Sequence, residues 1–360
     1  MSRRNGKPKK ILEISSYPPP RAGWGIRVAF VKEALIEAGH TCDVINIAPE
    51  SRKIPSPEYL TSLNGVDYFW KCLKLSLQGY RVHMHLNGNS PKGFILTILA
   101  EIANLITFKR PVLTVHAGPY QIYFPKERAP HLVPMFKFIF GVARKVICNS
   151  EAVKEKIVEY GVSPDKVVPI QAFSKQYLRF HKLSVNGELG GFIANRQPLI
   201  SSYVFFRPEF FIDDMVRGIA ELVKSYPNIG LMILGSSDNS EPIRELVQEL
   251  GIEKHVYFAG DQDHDSFLTL VTQSDICLRT PIRDGVSSSV LEALALEVPV
   301  VASENGRRPE SVITYDHESI PDMVRALRET IEQLPQVKSQ IVKPHIRDTV
   351  AEEVAVLTEV

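Results

Sequence analysis

Short apolar runs alternate with stretches of helical periodicity along nearly the whole chain, and this alternation restricts the fold more than any other feature. Lys10–Ser15 reads as a strand. A Pro- and Gly-rich loop follows, Pro18-Pro19-Pro20-Arg21-Ala22-Gly23-Trp24-Gly25. A helix over Ile26–Ala38 comes next, with Val28, Val31, Leu35 and Ala38 at helical spacing and Gly39 as its stop, and then a strand at Cys42–Ile47. The pattern returns as Tyr80–Leu86, Gly93–Thr107 and Val112–His116, and again as Val146–Cys148, Ser150–Tyr160 and Val167–Ile170. Such alternation implies a parallel sheet covered on both faces.

A second series begins near Gly191. Its strands are expected at Ser201–Phe206, Gly230–Leu234, Val256–Ala259, Asp275–Leu278 and Val298–Ala302, and its helices at Ile212–Ser225, Ser240–Leu250, Ser266–Gln273 and Ser289–Leu296. The chain has 360 residues, and domains commonly run to roughly 100–200 residues. Two doubly wound α/β domains are therefore expected, residues 1–180 and 181–340, joined within Phe173–Gly191 where the periodicity fades. Residues 341–360 should form a terminal helix, built on Ile346–Thr358, that packs back on the first domain. Sheets of this kind bind ligands outside the carboxyl ends of their strands, so a cleft between two facing domains is the expected site.

The ends and the cysteines exclude several classes. The basic start MSRRNGKPKK is followed by an apolar run that Glu13 and Ser15 interrupt, so no secretory signal is expected. The longest apolar stretch, Phe94–Phe108, is broken by Glu101 and Asn104 and suits a packed helix better than a span of about 20 residues. Cys42, Cys72, Cys148 and Cys277 are far apart and form no CxxC, which fits neither a disulfide framework nor a zinc site and points to the cytoplasm. Net charge is +1, from 42 Lys and Arg against 41 Asp and Glu, which argues against a nucleic-acid binder. That balance hides a division: residues 1–180 carry a net +13 and residues 181–360 a net −12. A basic half suggests an anionic partner.

The stretch richest in chemistry runs from Asp284-Gly285-Val286-Ser287-Ser288-Ser289 through Glu292 to Val298-Pro299-Val300-Val301-Ala302. Three serines at a helix start offer hydroxyls and unpaired backbone N–H groups at the positive end of a helix dipole, a ready phosphate site. Asp284 and Glu292 bracket it. Ser289-x-x-Glu292 is also a capping box, and Asp284 equally suits an ordinary turn; both alternatives stay open at this stage.

The pattern D-G-x5-L-E-A-x-A-x3-P-V-V-A resembles the signature of the retaining family-4 (group 1) glycosyltransferases of GT-B fold. The resemblance extends to Val146–Lys154, to Val256-Tyr257-Phe258-Ala259-Gly260, to Thr114-Val115-His116, to His83-Met84-His85 and to the Gly23-Trp24-Gly25 loop. It implies two Rossmann-like domains facing a central cleft and transfer of a sugar from a nucleotide-diphosphate donor to a glycan or lipid-linked acceptor. Surface polysaccharide or glycolipid assembly is the expected setting. It implies roles residue by residue: Glu292 on the nucleotide ribose, Asp284 near the donor sugar and leaving phosphate, and the Ser288 and Ser289 amides, with Ser287 beside them, on the diphosphate. His116 would contact the sugar, Gly23 and Gly25 would let the backbone approach the phosphates, and Gly260 would flank the base. No cofactor or metal is expected. The basic segments Arg3–Lys10 and Lys126–Arg144 would lie on an anionic membrane surface, with the protein peripheral to the inner face of the plasma membrane.

Three features depart from or compete with this reading. Where the family carries Lys-Gly after the first strand of the second domain, this chain has Phe210-Phe211. Arg207 or Arg283 is expected to replace the lost phosphate cation, with Arg279, Arg307 and Arg308 as other candidates. A catalytically weak sugar- or nucleotide-binding relative, or a GT-B-like nucleotide-sugar epimerase, are the alternative functions. His83 and His85 share one strand face, but the sequence offers no evident third metal ligand, so structural or sugar-contacting histidines are expected. Asp261-x-Asp263-x-Asp265 fails the calcium-loop pattern and reads as an acidic turn.

Overall fold

The computed structural model describes residues 7–18, 23–116, 121–282 and 287–359 and divides into two compact units, Met1–Gln176 with Arg347–Val360, and Tyr177–Ile346. Each holds one six-stranded sheet in which the strand pairs are parallel.

The first unit runs β1 (Lys10–Ser15), α1 (Gly23–Glu37), β2 (Thr41–Asn46), α2 (Gly65–Leu77), β3 (Arg81–Leu86), α3 (Pro91–Ile106), β4 (Val112–Val115), α4 (Val133–Val142), β5 (Lys145–Cys148), α5 (Glu151–Val158) and β6 (Val167–Pro169). Its strand order is β2-β1-β3-β4-β5-β6. Local chemistry sets the helix starts. Asn64 accepts from the Val66 and Asp67 amides, Ser90 accepts from Gly93 with Pro91 in the first turn, and Ser150 accepts from Val153. α2 has no counterpart in the sequence reading: its solvent side mixes Val66, Trp70 and Leu77 with Lys74, which weakens the polar stripe.

One face of this sheet is apolar: Leu12, Ile14, Val82, Met84, Leu113 and Val115 pack with Tyr68, Phe94, Phe136 and Phe140 of α2, α3 and α4. α4 thus turns Phe136 and Phe140 inward and leaves Phe138 exposed, so most of the aromatic content expected at a leaflet within Lys126–Arg144 lies in the core. Ile11, Val112 and Ile147 line the other face, beneath Val31 and Leu35 of α1. Strand alternation puts Glu13, His83, His85 and Thr114 on this second face as well, and all four are buried.

The second unit contains α6 (Gly187–Ala194), β7 (Leu199–Tyr203), α7 (Ile212–Val223), β8 (Gly230–Leu234), α8 (Glu241–Glu249), β9 (Val256–Gly260), α9 (His264–Thr272), β10 (Ile276–Arg279), α10 (Ser288–Ala295), β11 (Val300–Ser303), β12 (Val312–Tyr315), α11 (Ile320–Glu332) and α12 (Leu334–Ser339). Its strand order is β12-β11-β10-β7-β8-β9. Gly235, at φ +128°, is required after β8: a Cβ there would stand 2.0 Å from the Val204 carbonyl oxygen. Asp263 accepts from the Ser266 amide and caps α9, which gives the acidic turn a structural role.

The chain then returns to the first unit. α13 (Thr349–Thr358) packs Val350 and Leu357 against the α1 face. Arg27 of α1 is 3% exposed and donates to Glu353 Oε2 at 2.7 Å, Thr349 Oγ1 at 2.7 Å and the Thr349 and Ala172 carbonyls. Among the described residues no helix is long and apolar enough to cross a membrane.

Candidate functional site

In the first unit the candidate residues converge at the carboxyl edge of the sheet. β1 and β3 are neighbours in register, with Glu13 opposite His83. Glu13 Oε1 meets His83 Nδ1 at 2.9 Å, and Oε2 meets His85 Nε2 at 2.8 Å. His83 Nε2 meets Thr114 Oγ1 at 2.8 Å, and His85 Nδ1 meets His116 Nε2 at 2.8 Å. The His85 and His116 rings lie 13° from parallel, and Trp24 stacks on His116 at 4.5 Å. His116, expected from its motif, is therefore the outermost member of a buried polar array.

The sequence reading missed Glu13. The third partner of the His-x-His strand lies 70 residues upstream of His83, on the adjoining strand. A glutamate in the middle of a strand expected to be buried on both faces was the available signal. Among the described residues Glu13, His83 and His85 are the one group close enough together to share a cation. Their facing atoms already satisfy each other at hydrogen-bond distances, so the set stands without one.

Burial opposes charge throughout the array, and partners decide the outcome. Glu13 falls to about 2, because the His83 and His85 imidazoles together outweigh its burial. His83 rises against its own burial under the Glu13 charge. His85 is lowered by burial and by His83, and His116 is held well below the ordinary range by burial and by His85. The Glu13 charge thus favours the protonated form of His83, while burial favours the neutral forms of His85 and His116.

Gly23 and Gly25 lie in the first turn of α1, not in the loop the sequence reading gave them. A Cβ on Gly25 would come within 3.2 Å of Pro18 and 3.3 Å of the Ser16 carbonyl oxygen. Glycine there lets the helix start pack against the exit of β1.

In the second unit the candidates gather at the carboxyl ends of β7 to β11. Ser287 is the N-cap of α10 and makes no capping bond; its Oγ lies 3.0 Å from Ser289 Oγ. Ser289 is inside the helix, so the Ser289–Glu292 capping box does not form. Glu292 sits about one turn further in and is 1% exposed. The Ser288 and Ser289 amides occupy first-turn positions that have no intrahelical acceptor. Asp284 and Arg283 lie outside the described residues. Gly260 ends β9 at φ +71°, a conformation that suits glycine.

The arginines divide. Arg279 donates to the Tyr203 carbonyl at 2.6 Å with its guanidinium 5.2 Å from the Phe210 ring. Arg308 donates to the Ser303 and Pro281 carbonyls and braces the loop that leads to α10. Arg207 and Arg307 are exposed, Arg207 lying over the Phe205 ring. Phe210 is buried, whereas Phe211 holds φ +47°, ψ +46° at the start of α7. That left-handed conformation is the one glycine adopts without cost, so the backbone geometry is present without the residue that suits it.

Residues 192–336 match the family model of the glycosyl transferases group 1. The matched segment falls inside the second unit. An uncharacterized glycosyltransferase of Methanocaldococcus jannaschii is 25% identical over 229 residues, covering 61% of this chain and 53% of that protein. The match thus spans about half of that relative's length. A glycosyltransferase from Rickettsia africae superposes with a TM-score of 0.70 at 15% identity, over 98% of this chain and 99% of its own. HepE of Anabaena, in complex with UDP and glucose, gives 0.65 at 16% identity over 98% and 97%. UDP-N-acetylglucosamine 2-epimerases share the fold as well. The chain therefore has the GT-B fold, two Rossmann-like units in succession, and the segment similar to the group 1 glycosyl transferases lies in the second.

Proposed function

We propose that the protein is a retaining glycosyltransferase that moves a sugar from a nucleotide-diphosphate donor to a glycan or lipid-linked acceptor in surface polysaccharide or glycolipid assembly. The observation that carries this reading is the start of α10, inside the matched segment. Ser288 and Ser289 place amides in the first turn of a helix, where the helix itself supplies no acceptor, and the Glu292 carboxylate is buried one turn further in. As the glycosidic bond breaks, negative charge grows on the leaving diphosphate, and amides already aimed at it stabilise that charge without reorganising. Glu292 binds the ribose, Gly260 flanks the base, and His116 holds the sugar. Asp284 acts near the leaving phosphate. Arg207 and Arg283 supply the positive charge that Phe210 does not. The reaction uses no resident metal and no protein nucleophile.

The reading extends to a peripheral position on the cytoplasmic leaflet. Val66, Trp70, Leu77, Ile95 and Ile106 are exposed on α2 and α3, and Phe108 beyond them is 100% exposed. The one carboxylate of α3, Glu101, is buried, while Lys74, Lys92 and Arg110 are exposed. An apolar face edged by cations suits an anionic bilayer surface.

Thermal-shift measurements against UDP-, GDP-, ADP- and dTDP-sugars identify the donor class, since a ligand at a hundred times its Kd adds about 2.7 kcal/mol. Release of nucleoside diphosphate on adding acceptor supports transfer. Binding without release supports the second reading, a sugar-nucleotide-binding relative, which the burial of Phe210 at the usual lysine position favours. Conversion of the sugar without transfer supports an epimerase.

A further inference from the structure

The first unit holds more polar apparatus than sugar contact by His116 requires. Glu13, His83, His85 and Thr114 are all at least 96% buried, which is costly unless each polar atom has a partner. Their bonds form a continuous line from Glu13 to His116, and the line has a direction. A carboxylate can only accept. With one imidazole nitrogen at 2.9 Å and another at 2.8 Å, both of those nitrogens carry hydrogens. The His85 proton is therefore on Nε2, and its Nδ1 presents a lone pair. The only group bonded to that lone pair among the described residues is His116 Nε2, at 2.8 Å with the rings nearly coplanar. His116 must then donate from Nε2, and its own Nδ1 is left as an acceptor.

We propose that Glu13 and His85 act as positioning residues that lock His116 in its Nε2–H tautomer and so present Nδ1 as a neutral acceptor for a hydroxyl of the donor sugar. This rests on the glycosyltransferase reading. Trp24 fixes the plane of the ring from one side. His83 secures Glu13 from the other end, with Thr114 holding His83 Nε2 and the Arg27-bound Glu353 3.9 Å from the same nitrogen. An imidazole left to choose would populate both tautomers and would offer a donor N–H to the sugar part of the time. An acceptor of fixed sense selects the hydroxyl and its orientation, as second-shell carboxylates do for metal-bound histidines.

The test begins with the intact protein and needs no ligand. Nitrogen-15 correlation spectra of the histidine rings at pH 7 should show hydrogen on Nε2 and a bare Nδ1 in both His85 and His116. Hydrogen on His116 Nδ1 would overturn the proposal, whatever the activity. Two substitutions then separate positioning from packing. His85→Asn puts an amide oxygen near the place of Nδ1 and keeps an acceptor for His116, whereas His85→Phe keeps the ring and removes the acceptor. Nucleoside diphosphate release is followed with UDP-, GDP-, ADP- and dTDP-glucose in parallel. His85→Phe should lower kcat/KM about tenfold, the worth of one hydrogen bond, and mix the His116 tautomers. His85→Asn should keep both the tautomer and most of the rate. Full activity in His85→Phe, or equal loss in the two variants, sinks the proposal. If the wild-type protein binds none of the nucleotide sugars in the thermal-shift series, the glycosyltransferase reading fails, while the ring spectra still decide the tautomer.

Discussion

The candidate residues of the two units are held by opposite means. In the second unit Ser287, Ser288, Ser289 and Glu292 lie within one short helix and its cap, and the chemistry is that of a helix start. In the first unit Glu13, His83, His85 and Thr114 come from three adjacent strands, with His116 just past the end of β4, and they meet only because β1, β3 and β4 pair in register. The first kind of site is set by residues adjacent in sequence. The second kind is part of a core, and its polar groups are held by partners distant in sequence.

Stability should therefore respond strongly in the first unit. Arg27→Met leaves the Glu353 carboxylate buried without its partner, and the first unit should lose about 3–5 kcal/mol. Denaturant unfolding should then resolve two transitions, the second unit melting later. A single unshifted transition would erase the distinction between the two units.

Two of the buried glutamates of the first unit, Glu13 and Glu101, give opposite pH slopes. Glu13 is held at about 2, so the stability it contributes is present above its unfolded value of 4.5 and is lost as pH falls towards 2. Glu101 has neither oxygen paired, and burial pushes it up to about 9. Its neutral form is the one that suits the fold, so stability is highest below pH 4.5 and declines as pH rises through 9. Glu101→Leu should flatten that alkaline decline by several kcal/mol and leave acid stability unchanged, as chemical denaturation across pH 4 to 9 will read.

In the second unit the expected loss is of rate, with the fold intact. Glu292→Ala should cut donor turnover about a hundredfold, comparable to removing one stabilising contact from a preorganised site, while the unfolding midpoint of the first unit stays put. A rate within twofold of wild type would remove Glu292 from the site. A smaller effect is expected at the surface. Trp70→Ser with Phe108→Ser should weaken sedimentation with phosphatidylserine vesicles by about tenfold, since each large apolar side chain contributes roughly 1.5–3 kcal/mol when fully buried and less at an interface. The smallest concerns Phe211→Gly, which relieves a left-handed backbone worth about 1–2 kcal/mol but loses side-chain contacts and adds chain entropy. Its stability should stay within about 1 kcal/mol of wild type.

This contrast also explains what the sequence could disclose. The strand–helix alternation was readable because each element is a local pattern, and the α10 motif because its residues are contiguous. Even there a local rule misled: Ser289-x-x-Glu292 has the spacing of a capping box, but Ser287 is the cap. Glu13 escaped because its meaning depends on strand order. Nothing near it signals that β3 will lie alongside β1, and residue 13 served only as an interruption in an apolar run. The buried glutamate and the two histidines became a set only when alternation and register were known together. α2 escaped for another reason: Val66, Trp70 and Leu77 stand beside Lys74 on its outward face, so the polar stripe that marks a surface helix is weak.

The path of the chain between the units bears on how the protein is made. Arg27 closes its contacts with Thr349 and Glu353, yet all of Tyr177–Ile346 lies between them. A ribosome that has released the first sheet must still synthesise the entire second unit before α13 emerges. Until then the nascent first unit has a cationic side chain in its interior and an uncovered apolar groove over Val31 and Leu35. The first part of the molecule to be translated is thus among the last to be finished, and a chaperone meeting the growing chain would find its exposed surface there.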